Sequence, residues 1–312
     1  MNVNITKVIK DILTTFTRMS LDLQQSQMRI RIFSDFCESI GAKVYCEKIF
    51  ETDLMEEYGN SPEKKIFITT DDDYTHAIIW NKAMPNLLPS VSKENVIGFA
   101  YEPPDFLEIK QGFINYAQQY IGKYFIGDVG NLPEPFIGGK AFLIHTEPLK
   151  TIPSTKTRLM SIMVSEKKNA PGHKYRHQLV EEILKTNLPI DIYGRGCPLY
   201  NMNDNRIKGK FEEKELYEDY KFHICIENFQ TSYYYSEKII NPLLCGTIPI
   251  YLGCKNMDNS LSESTHFLTG NLSQDMAFIS DVIQNPNNYI KQIDVDSVKK
   301  DTNLLRNLES LF

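Results

Sequence analysis

Phe222, Ile224 and Ile226 alternate with His223 and Cys225 and run into Glu227-Asn228, which predicts a mostly buried strand delivering polar groups to a loop. Beyond that loop Ile239, Ile240, Leu243 and Leu244 recur at helical spacing, and Ser236 or a neighbour caps the helix they imply. Pro242, read as a first-turn residue, places the helix start close to Glu237-Lys238. Gly246 stops it, and Thr247 to Leu252 begins another strand.

Upstream, residues 1–27 read as a helical extension with Ile5, Ile9, Ile12, Phe16 and Met19 on one side. Strands are expected at 28–33, 66–68, 76–80, 95–101, 141–144, 160–164 and 190–193. Helical stretches are expected from the first strand to about 57, near 107–121 and at 176–184. Alternating strands and helices predict an α/β chain with parallel sheets. The aperiodic, proline-containing stretch 147–155 marks a linker. The organisation read from it is an extension at 1–27, a first domain at 28–150, a second at 156–285 and a helical closing segment at 286–312 that packs back on the first domain.

The 312 residues are 42% hydrophobic and 24% charged, ordinary globular composition, and a net charge of -6 argues against a general nucleic-acid binder. Six cysteines form no CxxC pair and no zinc-ligand spacing, so buried reduced thiols are expected. No apolar run reaches membrane-helix length, and Lys7, Lys10 and Asp11 interrupt the first helical stretch. The sequons at Asn4 and Asn271 are read as chance matches without a secretion signal. Neither a GxGxxG fingerprint nor a P-loop is present.

Three features carry candidate chemistry. A helix N-terminus beside Lys238, with Glu237 to accept hydroxyl hydrogen bonds and Tyr233 to Tyr235 as an aromatic face, suits a nucleotide diphosphate sugar. The competing reading is a solvated first-turn pair in a plain βαβ unit. Glu102 ends the strand at 95–101 beside Pro103-Pro104, where a carboxylate would stand rigidly at a cleft; the competing reading is a surface carboxylate. Asp71-Asp72-Asp73 has the DxD form that holds a divalent metal in some glycosyltransferases, but an acidic turn is the favoured reading and no essential metal is expected.

The stretch Tyr220-Lys221-Phe222, Glu227-Asn228, Tyr234, Ser236-Glu237-Lys238 and Gly246-Thr247-Ile248-Pro249-Ile250 resembles the donor-binding signature of the alpha-1,3-fucosyltransferase family, glycosyltransferase family 10. The run from 160 through an arginine-bearing helix to Ile190-Asp191-Ile192-Tyr193-Gly194-Arg195 is similar to that family's upstream segment, although Glu166 follows Ser165 where the family has Ser-Asn. The resemblance implies a GT-B architecture, two Rossmann-like domains facing across a cleft, in a soluble cytoplasmic protein of the bacterial or viral type. It implies inverting transfer of fucose from GDP-fucose to a glycan hydroxyl, with Glu102 as general base. Arg176, Asn228, Tyr234, Glu237 and Lys238 would bind the donor, without cofactor or metal. The partners implied are a nucleotide sugar and a glycan acceptor, with no integral membrane segment; a homodimer and the role of residues 1–27 stay open. Rival readings are the same fold with another nucleotide sugar, a non-catalytic glycan- or nucleotide-binding descendant, and a structural protein with a relic fold.

Overall fold

The computed structural model describes residues 28–51, 66–143, 146–149, 151–212 and 214–312. The extension read at 1–27, the helical reading past residue 51 and Ile144 lie outside them. The first sheet comprises β1 (Met28–Ser34), β2 (Ile66–Thr69), β3 (His76–Trp80), β4 (Val96–Phe99), β5 (Lys123–Ile126) and β6 (Phe136–Gly138), with helices α1 (Ser39–Cys46), α2 (Pro104–Leu107) and α3 (Gln111–Tyr120). The second comprises β7 (Arg158–Met163), β8 (Ile190–Tyr193), β9 (Ile207–Gly209), β10 (Tyr220–Ile226), β11 (Ile248–Leu252) and β12 (His266–Phe267). With it go α4 (Pro171–Leu184), α5 (Glu237–Leu244), α6 (Asn259–Ser262), α7 (Leu272–Gln284), α8 (Val295–Thr302) and α9 (Leu304–Leu311).

Both sheets are parallel, in the orders β2-β1-β3-β4-β5-β6 and β12-β11-β10-β7-β8-β9. A parallel sheet is covered on both faces, so its strands read as apolar runs; β4 and β11 are buried at every position. Each order reverses once, between β1 and β3 and between β7 and β10, and such points are where open α/β sheets bind ligands.

Two expected elements differ. Residues 141–143 form no strand, because Phe142 takes φ +56°, which no extended ladder accommodates; β5 and β6 stand at that edge instead. The helix expected at 107–121 is two, parted by Glu108 at φ +48°. Pro242 lies in the second turn of α5, where its ring removes the amide that would bond the Lys238 carbonyl.

One buried cluster joins the two halves. Ile30, Ile78, Trp80 and Phe99 of the first sheet pack in the same core as Ile239 and Leu243 of α5 and Leu304, Leu305 and Leu308. The closing helix α9 lies along the first sheet: Lys123 Nζ donates to Leu311 O (2.7 Å), Asn303 Nδ2 donates to Phe50 O (3.1 Å), and the rings of His76 and Phe312 sit 4.8 Å apart. Among the described residues no helix is long and apolar enough to cross a membrane.

Candidate active site

The switch point of the second sheet lies between the carboxyl ends of β7 and β10, and two helices begin there. α4 comes so close to β10 that a Cβ on Gly172 would stand 1.8 Å from Glu227 O, while the Gly172 amide donates to Asn228 O (3.0 Å). Only glycine allows that approach. α5 starts at Ser236, whose hydroxyl accepts from the Lys238 amide (3.4 Å).

Glu227 fixes the start of α5. Its side chain is fully buried, and it accepts from the Ser236 amide (2.8 Å), from the Ser236 hydroxyl (2.8 Å to Oε2) and from Tyr251 OH (3.4 Å). Lys238 Nζ lies 3.4 Å from Glu227 and donates to Glu237 Oε1 (2.9 Å) and Ser236 Oγ (3.0 Å). A buried carboxylate needs such partners, and here they are the groups that shape the helix start. Burial opposes the charge on Lys238, yet Glu237 and Glu227 outweigh it and its pKa is raised. The ammonium stays charged and anchored.

The other expected residues gather around this anchor. Arg176 on α4 is 3% exposed and donates to the Ile226 carbonyl at the end of β10. Burial lowers its pKa against the opposing fields of Glu227 and Glu237. Tyr234 is buried, and its hydroxyl pKa is pushed up by burial and by Glu227, Glu237 and Glu102. Glu102 comes from the first sheet, three residues past Phe99, the last residue of β4, and is half-buried. Desolvation raises its pKa; Lys238 and Lys167 pull it down, and Glu237 and Glu227 push it up. Charges at the α5 start therefore reach Glu102 across the gap between the sheets.

The loop between β10 and α5 closes that gap on one side. Phe229 meets Phe106 edge to face at 5.2 Å. The Tyr233 ring covers Gly138, where a Cβ would come within 2.8 Å, and Gly127 faces Ser232 O and the Tyr234 Cβ with equally little room. Beside the α5 start, a hollow of about 220 Å³ opens at the ends of β11 and β12 between Gln230, Gly253, Lys255 and Phe267.

All six expected residues thus meet at one place. Two more emerge. Glu227 appears in the sequence as the polar end of a buried strand and as part of the signature Glu227-Asn228, without a role of its own; its signal was an acid at the end of an apolar run. His173, in the first turn of α4, accepts from the Ala170 amide (3.2 Å), and its pKa falls to about 4 through burial, then Arg176, Lys167 and Lys238. Asp72 and Asp73 pair instead with Arg31 and Arg29 of β1, where the chain crosses that strand between β2 and β3. Among the described residues no group of three His, Cys, Asp or Glu is placed to hold a metal.

Residues 153–294 match the family model for the C-terminal region of glycosyltransferase family 10 (fucosyltransferase). Through this stretch the chain is similar to that family. A fucosyltransferase-like protein of Arabidopsis thaliana is 32% identical over 116 residues, 37% of this chain and 21% of that one, so the chain spans about a fifth of that relative's length. Crystal structures of an alpha1,3-fucosyltransferase, one with GDP, share the fold at 14% identity, covering 91% of this chain and 90% of theirs with TM-scores of 0.51 and 0.50. An alpha-glucosyltransferase in complex with UDP and DNA shares it at 12% identity, covering 90% and 95%, with a TM-score of 0.50. The two facing sheets are thus the GT-B arrangement, and the family 10 stretch carries the switch point where α4 and α5 begin.

Proposed function

We propose that this protein is an inverting glycosyltransferase that moves fucose from GDP-fucose to a hydroxyl of a glycan acceptor. The observation that carries the reading is Glu102, standing in the field of a helix start whose lysine is held by Glu227. Glu102 takes the proton from the acceptor hydroxyl as its oxygen bonds to the anomeric carbon. The bond from that carbon to the diphosphate breaks on the opposite side, and GDP leaves. Lys238, Arg176 and the positive end of the α5 dipole stabilise the leaving charge, so no general acid is required. Glu237 binds ribose or sugar hydroxyls, Tyr234 contacts the nucleotide or diphosphate, and Asn228 orients the loop. Neither cofactor nor essential metal takes part.

A second reading, the same chemistry with a UDP-sugar, is favoured by the fold likeness to the UDP-bound alpha-glucosyltransferase. Thermal-shift titration with GDP, UDP, ADP and CMP, without added metal, separates them. GDP alone is expected to stabilise the protein, and Lys238→Ala to abolish the shift. Stabilisation by UDP alone would keep the site and remove fucose.

A further inference from the structure

The first sheet has its own switch point, between the ends of β1 and β3, and the donor reading leaves it unused. Asp35 and Phe36 follow β1, Asn81 and Lys82 follow β3, and Tyr101 follows β4 directly before Glu102. Phe36 is 56% exposed, and its ring lies parallel to the buried Trp80 ring, 5.9 Å away at 3°. Tyr101 flanks both rings, at 6.1 Å from Phe36 and 4.9 Å from Trp80. Asp35 Oδ2 accepts from the Lys82 amide (3.3 Å), and its carboxylate is otherwise open to solvent.

Asn81 holds the turn in the left-handed region at φ +52°. Three bonds enforce it: its amide donates to Phe99 O (2.9 Å), its Oδ1 accepts from the Tyr101 amide (2.8 Å) and its carbonyl accepts from Tyr124 OH (2.7 Å). Backbone strain maintained by so many partners gathers at binding sites.

We propose that Phe36 and Asp35 form the acceptor-sugar subsite, a reading that rests on the glycosyltransferase function above. The apolar C–H face of a pyranose lies on the Phe36 ring, Asp35 accepts hydrogen bonds from its hydroxyls, and Tyr101 places the neighbouring hydroxyl toward Glu102. Charge assigns this place to the acceptor: two carboxylates, Asp35 and Glu102, repel a diphosphate, whereas neutral sugar hydroxyls donate to them.

Trp80 is the chain's single tryptophan, so its emission reports on this place alone. The probes are methyl β-galactopyranoside, methyl N-acetyl-β-glucosaminide and methyl α-mannopyranoside at millimolar concentration with GDP present, followed by Trp80 fluorescence and saturation-transfer NMR. At least one glycoside is expected to alter the emission and to receive saturation on its ring C–H protons. Phe36→Ala should weaken that binding on the order of tenfold and leave GDP stabilisation unchanged, while Phe36→Tyr retains it. Unaltered glycoside binding in Phe36→Ala, or no response to any glycoside in protein that binds GDP, overturns the subsite. Glycoside binding that depends on Phe36 without any nucleotide binding keeps the subsite and sinks the donor reading. Ile40 and Val44 on α1 are exposed as well, four and eight residues after Phe36. If Phe36→Ala dissolves a dimer on size exclusion and leaves the glycoside response intact, the ring is a contact between copies and the subsite falls.

Discussion

Glu102 and Glu227 are carboxylates of opposite circumstance. Glu227 is saturated with donors and buried, so it positions neighbours, whereas Glu102 accepts no hydrogen bond from the described residues that would hold it ionised and is raised by desolvation. A base must be ionised to work, so the acid limb of kcat/KM should fall above the ordinary carboxylate range and vanish with the activity in Glu102→Gln, while GDP binding persists. A limb at the ordinary carboxylate value, or full activity in the variant, would remove Glu102 from the reaction. Glu227→Ala should behave differently. Leaving Lys238 and Ser236 without their partner costs about 3–5 kcal/mol of stability and abolishes the GDP shift, both readable in one thermal titration. His173 offers a third measurement. Its pKa is about 4 rather than 6.5, so the stability it contributes is present above 6.5 and is lost as pH falls toward 4. A diphosphate offsets the cations that help depress it, so GDP binding near pH 5 should take up protons, seen as a calorimetric enthalpy that depends on the buffer. No uptake would place the diphosphate elsewhere.

At the level of elements, the site depends on two helix starts meeting one strand end. Gly172→Ala is expected to destabilise the protein by about 1–3 kcal/mol, or more, because the added methyl meets backbone rather than a movable side chain. Circular dichroism melting checks this; an unchanged midpoint would mean that α4 shifts freely. This region was largely legible in the sequence for a physical reason. The alternation of Phe222, Ile224 and Ile226, the cap at Ser236 and the stop at Gly246, with φ +64°, are each local rules that the tertiary structure leaves in place. The first sheet was less legible. β5 and β6 have four and three residues, too short for a period to show, and the breaks at Glu108 and Phe142 come from left-handed non-glycine residues that no pattern announces. Glu227 was seen, but its function was not, because a buried acid is interpretable only once its partners from Ser236, Lys238 and Tyr251 are known.

In the whole molecule, Glu102 and the α5 start stand on different sheets, so the proposed transfer requires their mutual placement as well as each part. Lys140, after β6, pairs with Asp258 (2.5 Å) and donates to Asp301 O (2.7 Å), and Tyr235 OH donates to Asp258 Oδ2 (2.8 Å). Helix α9 adds the larger apolar contact, capped by Asn303 Oδ1, which accepts from the Leu305 amide (3.0 Å). Leu308 is completely buried there, and Leu308→Ala should cost roughly 2–5 kcal/mol. The consequence for the proposed function is uneven, because the crevice assigned to the donor lies between α4, β10 and α5, whereas Glu102 stands on the first sheet, where α9 packs. Below the melting range, the variant should hold GDP with nearly wild-type affinity and transfer sugar with a lowered kcat, since a displacement of about 1 Å in a catalytic group costs on the order of a hundredfold. Calorimetry with GDP and steady-state transfer rates read the two quantities separately. Parallel loss of both would mean that α9 supports the donor crevice itself; loss of neither would mean that the ion pair and hydrogen bond at Asp258 suffice to hold the sheets in register.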